Sequence, residues 1–356
     1  MTRTGAPRDG DLTVAIAAPL AAEHVQLIED AEPRLRVLYE PDLLPPMRFP
    51  ADFSGDPAFT RGPAEQERFN ALVDSAEALY GVPDVDPHAL KRVVGANPRL
   101  RWVHTMAAGG GGLVKSAGLS AQDLSRVTFT TSAGVHGAPL AEFALFGLLA
   151  GAKHLPRLRD LQSRREWPDR WPMGQLAGST VLILGLGGIG AVLAEYLQAL
   201  GVRTIGSNRS GRAVPGIDEL VPLDELASVL PRVDAIVSTL PGTAATDGLL
   251  GAEVFAAVPP GVTVVNVGRG TVIDESALLN ALDSGAVGFA ALDVFAVEPL
   301  PPSSPLWSHP RVLASPHTAA LTLSEEKRIA ELFARNASAI LDGRTPANIV
   351  DTDHFY

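Results

Sequence analysis

The chain has no cysteine among its 356 residues. That excludes a disulfide framework, a thiolate metal site and a cysteine nucleophile, and it suits a reducing compartment, so the cytoplasm is the expected location. Positive charge is also scarce: 29 Lys and Arg stand against 40 Asp and Glu, a formal net charge of −11. Such a chain is poorly suited to nucleic acid or an anionic membrane, since both require Lys and Arg against phosphate. Long apolar runs are missing too. A membrane helix needs roughly 18 to 20 apolar residues, whereas the best stretch, Leu140 to Ala152, contains Glu142 and stops at Lys153. Leu12 to Ala22 imitates the apolar middle of a secretory signal, but it follows Asp9 and Asp11 and reads as a first buried strand. No HExxH pattern or clustered His and Asp ligands appear, so no metal is expected.

What the chain does have is a 46% hydrophobic composition, enough for about two domains at roughly 100–200 residues each. Short runs rich in Val and Ile alternate with Ala- and Leu-rich helical patterns, the mark of parallel sheets covered by helices. The fold class is therefore α/β. Strands are expected near Leu12–Ala18, Leu35–Tyr39, Ala78–Val82, Trp102–Thr105 and Val127–Thr131, with the Pro-rich stretch Pro41–Pro63 as a surface loop. Six more are expected at Thr180–Leu184, Val202–Ser207, Asp234–Leu240, Val262–Val267, Val287–Leu292 and Arg311–Ser315. Six is the count of a complete dinucleotide-binding fold. An amphipathic helix over Leu323–Leu341 follows, and its return to the first domain would leave a ligand cleft between two lobes. His104 and His136 fall near that cleft but read more simply as packing or hinge residues.

VLILGLGGIG at 181–190 places Gly185, Gly187 and Gly190 in GxGxxG spacing between a strand and a helix. The first glycine permits the tight turn, the second lets pyrophosphate approach the backbone, and the third packs helix on strand; Gly188 and Ile189 open the helix whose N–H groups face phosphate. An NAD site places an acid about 20 residues on, for the ribose 2′-hydroxyl. Here no acid lies between Glu195 and Asp218, and the second strand ends in Ser207, Asn208, Arg209, Ser210. Arg209 can pair with a 2′-phosphate while Asn208 and Ser210 add hydrogen bonds, so NADP is expected in preference to NAD.

In such sheets ligands sit beyond the carboxyl ends of the strands. Three consecutive expected strands end in Val267-Gly268-Arg269-Gly270, in Asp293 followed by Glu298, and in Ser315-Pro316-His317. One cation, one carboxylate and one imidazole therefore converge on one edge.

With these residues the chain resembles the D-isomer-specific 2-hydroxyacid dehydrogenases over nearly all its length. The likeness rests on GLGGIG at 185–190, LPGTAATDGLL at 240–250, VNVGRGTVIDESAL at 265–278, ALDVFAVEPL at 291–300 and SPHTA at 315–319. It implies that Arg269, Glu298 and His317 are catalytic. It also implies a Rossmann cofactor domain (134–318) inserted into a flavodoxin-like substrate domain (1–133 and 319–356), and a homodimer built mainly on the cofactor domains. Leu240 and Pro241 would lie beside the adenosine half of the cofactor, Val267 and Asp293 near the nicotinamide, with Ala319 beside the ring, and Thr246 and Gly268 would also contact the cofactor. A dinucleotide-sensing corepressor or scaffold of the same fold is the alternative.

The chemistry expected of the groups is reduction of a small 2-keto acid. Imidazolium is the side chain most readily poised to give a proton near neutral pH, so His317 is the expected general acid. Glu298 would orient that imidazole and favour its charged form, and Arg269 would bind the substrate carboxylate with its fixed fork of donors. Backbone N–H groups of Ala108, Gly109 and Gly110, in the glycine run after the Trp102–Thr105 strand, could complete an anion-binding concavity.

Overall fold

The computed structural model describes residues 11–355; Asp9 and the other positions before them lie outside the described residues. The chain divides into two compact units, one running to His136 and resuming at Leu321, the other spanning Gly137–Ala320. Among the described residues no helix is long and apolar enough to cross a membrane.

In the first unit, β1 (Leu12–Ile16), β2 (Leu35–Leu38), β3 (Ala78–Tyr80), β4 (Trp102–Thr105) and β5 (Thr128–Thr131) pair in parallel in the order β2-β1-β3-β4-β5. This is the flavodoxin-like order. Consecutive residues of β3 and β4 are buried, as they must be in strands covered on both faces. The last long helix, Glu325–Leu341, begins two residues later than its periodicity suggests and buries Ile329, Phe333 and Ala337 along one face. Phe333 stacks on Trp102 at 4.4 Å and meets Tyr80 edge-on at 5.1 Å, so the helix returns to the first sheet through an aromatic cluster.

The Pro41–Pro63 stretch is not wholly a surface loop. Leu43, Leu44, Ala51 and Asp52 are buried within it. The Asp52 carboxylate takes the Arg48 guanidinium at 2.6 Å, and the Ala51 N–H donates to Glu326 Oε1 at 3.0 Å. Its polar composition misleads because those groups are satisfied internally rather than by water.

The second unit holds a parallel seven-stranded sheet: β6 (Thr180–Leu184), β7 (Arg203–Ser207), β8 (Glu219–Leu220), β9 (Ala235–Ser238), β10 (Val262–Asn266), β11 (Val287–Leu292) and β12 (Val312–Ala314), in the order β12-β11-β10-β9-β6-β7-β8. From β6 outward this is the dinucleotide-binding order with one further strand at the edge. Six strands were expected. The missing one, β8, has two residues and is too short to show a pattern. The strands ahead of Arg269, Glu298 and His317 are therefore fifth, sixth and seventh in this sheet, and they remain mutual neighbours.

Candidate active site

The glycine-rich turn divides its labour among its residues. Gly185 sits at φ +93, a left-handed conformation that favours glycine. A Cβ on Gly190 would stand 2.1 Å from the Gly185 carbonyl oxygen, so the helix Gly188–Ala199 can start this close to β6 only with glycine there. Over Gly187 there is open space, and the helix N-terminus it caps has no side-chain cap. Exposed Gly187 and Gly188 with half-buried Ile189 thus leave a helix N-terminus facing solvent, which fits a phosphate-bearing ligand.

From this turn a continuous ledge runs along the carboxyl ends of the strands. Thr239 donates from its hydroxyl to the Gly185 carbonyl at 2.8 Å, which seats Leu240 and Pro241 beside the turn. A Cβ on Gly268 would lie 2.4 Å from the Leu240 carbonyl oxygen, and one on Gly270 would lie 1.8 Å from the carbonyl carbon of Phe295. These close approaches hold the Arg269 turn between the Leu240 loop and the loop that carries Glu298. Buried Asn266 locks the turn from below, accepting from the Gly268 N–H and donating to the Arg269 carbonyl. Arg269 is exposed, with Nη1 bonded to the Gly268 carbonyl at 2.7 Å; Val267 beneath it is buried.

Glu298 and His317 meet directly: Glu298 Oε2 lies 2.6 Å from His317 Nδ1, and Glu298 Oε1 accepts the Phe295 N–H at 2.9 Å. Burial works to raise the Glu298 carboxyl. The bonds from His317 and Phe295, with the positive charges of His317 and Arg269, outweigh it and hold the group below the usual carboxylate range. With Nδ1 occupied, Nε2 is the ring nitrogen left to face a substrate. The imidazole is 46% exposed, enough to be reached.

Behind the pair stands Asp293, 1% exposed. Its Oδ1 accepts from the Ser315 hydroxyl at 2.6 Å and from the N–H groups of Thr318 and Ala319 at 3.0 and 3.1 Å. This one oxygen ties β11 to the turn that carries His317, whose own φ of +53 is strained for a residue with a side chain. Its Oδ2 is buried without a protein partner, an acceptor that fits a ligand amide. The locking residues Asn266 and Ser315 escape a reading that looks for reactive groups. The one signal is a buried polar residue at the end of a mostly apolar strand, as with Asn266.

At the end of β7, Asn208 donates to the Arg212 carbonyl at 2.8 Å and Ser210 donates to Asn208, a loop that presents Arg209 to solvent. The acids beyond it are spent elsewhere: Asp218 accepts the Thr204 N–H at 2.8 Å, and Glu219 pairs with Arg203 and Arg232. Thr246 is buried, its hydroxyl donated to the Pro241 carbonyl, so it braces the Leu240–Pro241 loop.

In the other unit, the Gly110 N–H donates back to Ala107 at 3.2 Å, and a Cβ on Gly110 would collide with Thr105 Oγ1 at 1.8 Å. Gly110 is thus glycine for packing, and its N–H is used within the turn. Ala108 and Gly109 are exposed. His104 is fully buried between the hydroxyls of Thr130 and Ser132, and burial pulls its imidazole down to about 3. His136 bonds Glu325 at 2.8 Å.

Known proteins place the chain in a family. Residues 145–319 match the family model described as D-isomer specific 2-hydroxyacid dehydrogenase, NAD binding domain. Glyoxylate/hydroxypyruvate reductase A of Serratia proteamaculans (strain 568) is 35% identical over 212 residues, 60% of this chain and 67% of that protein. A crystal structure of a D-isomer specific 2-hydroxyacid dehydrogenase family protein from Aeromonas salmonicida superposes with a TM-score of 0.74 at 31% identity, covering 96% of this chain and 100% of that one. The chain belongs to the D-isomer specific 2-hydroxyacid dehydrogenase family. This dehydrogenase is therefore an enzyme of the two-sheet α/β type, and its glycine turn, Arg269, Glu298 and His317 all lie in the Gly137–Ala320 unit. A further neighbour is the NADPH-dependent glyoxylate/hydroxypyruvate reductase of Sinorhizobium meliloti, solved with NADP and sulfate, at 27% identity and a TM-score of 0.74 over 97% of this chain and 100% of that one.

Proposed function

We propose that the protein reduces a small 2-keto acid to the D-2-hydroxy acid, using NADPH in preference to NADH. The observation that carries this reading is the 2.6 Å pair of Glu298 and His317, set at the carboxyl edge of the same sheet that begins with the glycine turn. The nicotinamide nucleotide supplies the hydride. Gly185, Gly187, Gly188, Ile189 and Gly190 would hold its pyrophosphate, and Asp293 Oδ2 would accept from its carboxamide. Arg209 with Asn208 and Ser210 would hold the 2′-phosphate at a strand end where Asp218 and Glu219 are otherwise engaged.

The chain's own groups divide the remaining work. His317 holds a proton at Nε2 and gives it to the keto oxygen as the carbonyl is reduced. Glu298, kept ionised, fixes the ring through Nδ1 and stabilises its charged form. Arg269 binds the substrate carboxylate and polarises the carbonyl. The exposed turn at Ala108 and Gly109 is retained as a second anion-binding element.

The reading extends to a homodimer, supported by Phe146, Leu149 and Trp167, apolar side chains 47%, 38% and 98% exposed in the Gly137–Ala320 unit. It also places the protein in the cytoplasm. Relatives named as glyoxylate/hydroxypyruvate reductases make glyoxylate and hydroxypyruvate the first substrates to assay, each with NADPH and with NADH. Turnover favouring NADPH is expected. Absence of turnover across a panel of 2-keto acids would remove the keto-acid reductase reading, and a preference for NADH would remove the cofactor preference.

A further inference from the structure

In the first unit a pocket of about 350 Å³ opens at the amino ends of β4 and β5, sharing no residue with the ledge described above. It is lined by Arg101, Arg126 and Arg344, by Thr128 and Thr345, and by an apolar wall that includes Ile349, with no carboxylate in the lining. Three guanidinium groups around one pocket are unexpected in a chain of net charge −11, and they bring three positive charges together, each also meeting a carboxylate outside the lining: Glu77, Asp123 and Asp342.

The pocket is built rather than accidental. Its floor is fixed by Arg126, which donates to the carbonyls of Val94, Asn97 and Leu100 at 2.7, 3.1 and 2.8 Å. Those bonds occupy its donors, and Asp123 Oδ1 lies 3.5 Å from its Nη2, so Arg126 contributes a partly offset charge rather than hydrogen bonds. The opposite wall is the segment after the Glu325–Leu341 helix. It is held by Asn336, which accepts from the Ala347 N–H at 2.8 Å, and by Thr131 and Val350, whose N–H groups bond Asn348 and Phe129. Arg101 meets Glu77 only at 3.5 Å, and Arg344 pairs with half-exposed Asp342 at 2.8 Å. Exposed pairs of this kind contribute little and yield easily to a better anion. Two forks of donors and two hydroxyls, over a floor braced by a third guanidinium, match the oxygens of a compact anion.

We propose that this pocket binds a small, multiply charged oxyanion, a phosphate monoester or a polycarboxylate. The test is calorimetric titration of the full chain with inorganic phosphate, glycerol 3-phosphate and citrate. Saturable binding of at least one is expected, and the better ligand separates the phosphate arm from the carboxylate arm. The double variant Arg101→Gln, Arg344→Gln should weaken that binding ~tenfold or more. Thr345→Glu, which sets a carboxylate in the lining at an exposed position, should abolish it. Thermal unfolding identifies any variant that fails to fold, and the other then decides. The proposal is overturned if none of the three anions binds saturably, or if binding in the folded variants equals that of the parent, which would locate the anion elsewhere.

Discussion

Gly270 lies so close to Phe295 that a Cβ on the glycine would stand 1.8 Å from the Phe295 carbonyl carbon. Because Phe295 also donates its N–H to Glu298, this contact sets the distance between the Arg269 turn and the carboxylate that holds His317. Gly270→Ala must therefore push the two loops apart. Overpacking of this kind costs about 1–3 kcal/mol, so a lower unfolding midpoint together with reduced keto-acid turnover is expected. Gly112→Ala is the control, since nothing lies within 4 Å of a Cβ there. Equal unfolding midpoints for the two variants would show that the close approach relaxes without consequence.

His317→Ala removes the proton donor while leaving the glycine turn untouched. A loss of about 10²–10⁴ in kcat is expected, with NADPH affinity, read by fluorescence titration, unchanged. Turnover at the parent rate would exclude His317 from the reaction.

The Glu298 carboxyl is held below its ordinary value of 4.5. A group depressed in this way keeps its charge as pH falls, so the hold on His317 persists to below pH 4.5. Keto-acid reduction, measured at pH values where the protein is folded, should show no fall from loss of this carboxylate between pH 7 and 5. A decline centred at pH 5 or above that disappears in Glu298→Gln would contradict the assignment.

Asn208→Asp sets a carboxylate at the end of β7, where it would repel a 2′-phosphate and accept from a 2′-hydroxyl instead. The ratio of kcat/KM for NADPH to that for NADH should fall by about tenfold or more. An unchanged ratio would mean that the nucleotide's ribose lies elsewhere.

His104 offers a test of the core. Its folded value of about 3 lies below the ordinary 6.5 because burial disfavours the charged ring. The unfolded chain therefore takes up a proton first, and stability is lost as pH falls from about 6.5 toward 3. His104→Phe leaves the Thr130 and Ser132 hydroxyls without the ring and should be less stable at pH 7, but it lacks this acid liability. The gap in unfolding midpoint between parent and variant should narrow on acidification. A gap constant from pH 7 to 4 would refute the account.

Much of this was legible in the residues. The short, mostly apolar runs located both sheets, since strands buried on two faces lose the alternation of a half-exposed strand. The order strand, GxGxxG, helix located the nucleotide turn, because the glycines answer local demands of φ and close approach. What failed to show was β8, too short to leave a pattern, and the buried part of Pro41–Pro63, whose polar groups find partners as distant in sequence as Glu326. Asn266 and Ser315 carry no reactive chemistry of their own, so their part in locking the Arg269 and His317 turns was invisible as well.

The amino-acid sequence alone determined the class of fold, the glycine turn and the identity of the three polar groups at the strand ends. These are properties of neighbours along the chain, set by periodicity, backbone conformation and side-chain chemistry. Only the tertiary structure decided that Glu298 grips Nδ1 of His317 and that Asp293 braces the turn behind it. It alone also gathered three arginines around one pocket in an acidic protein. Those relations join residues from separate loops or distant segments, and they depend on strand order and on distances of a few ångströms that no local pattern encodes.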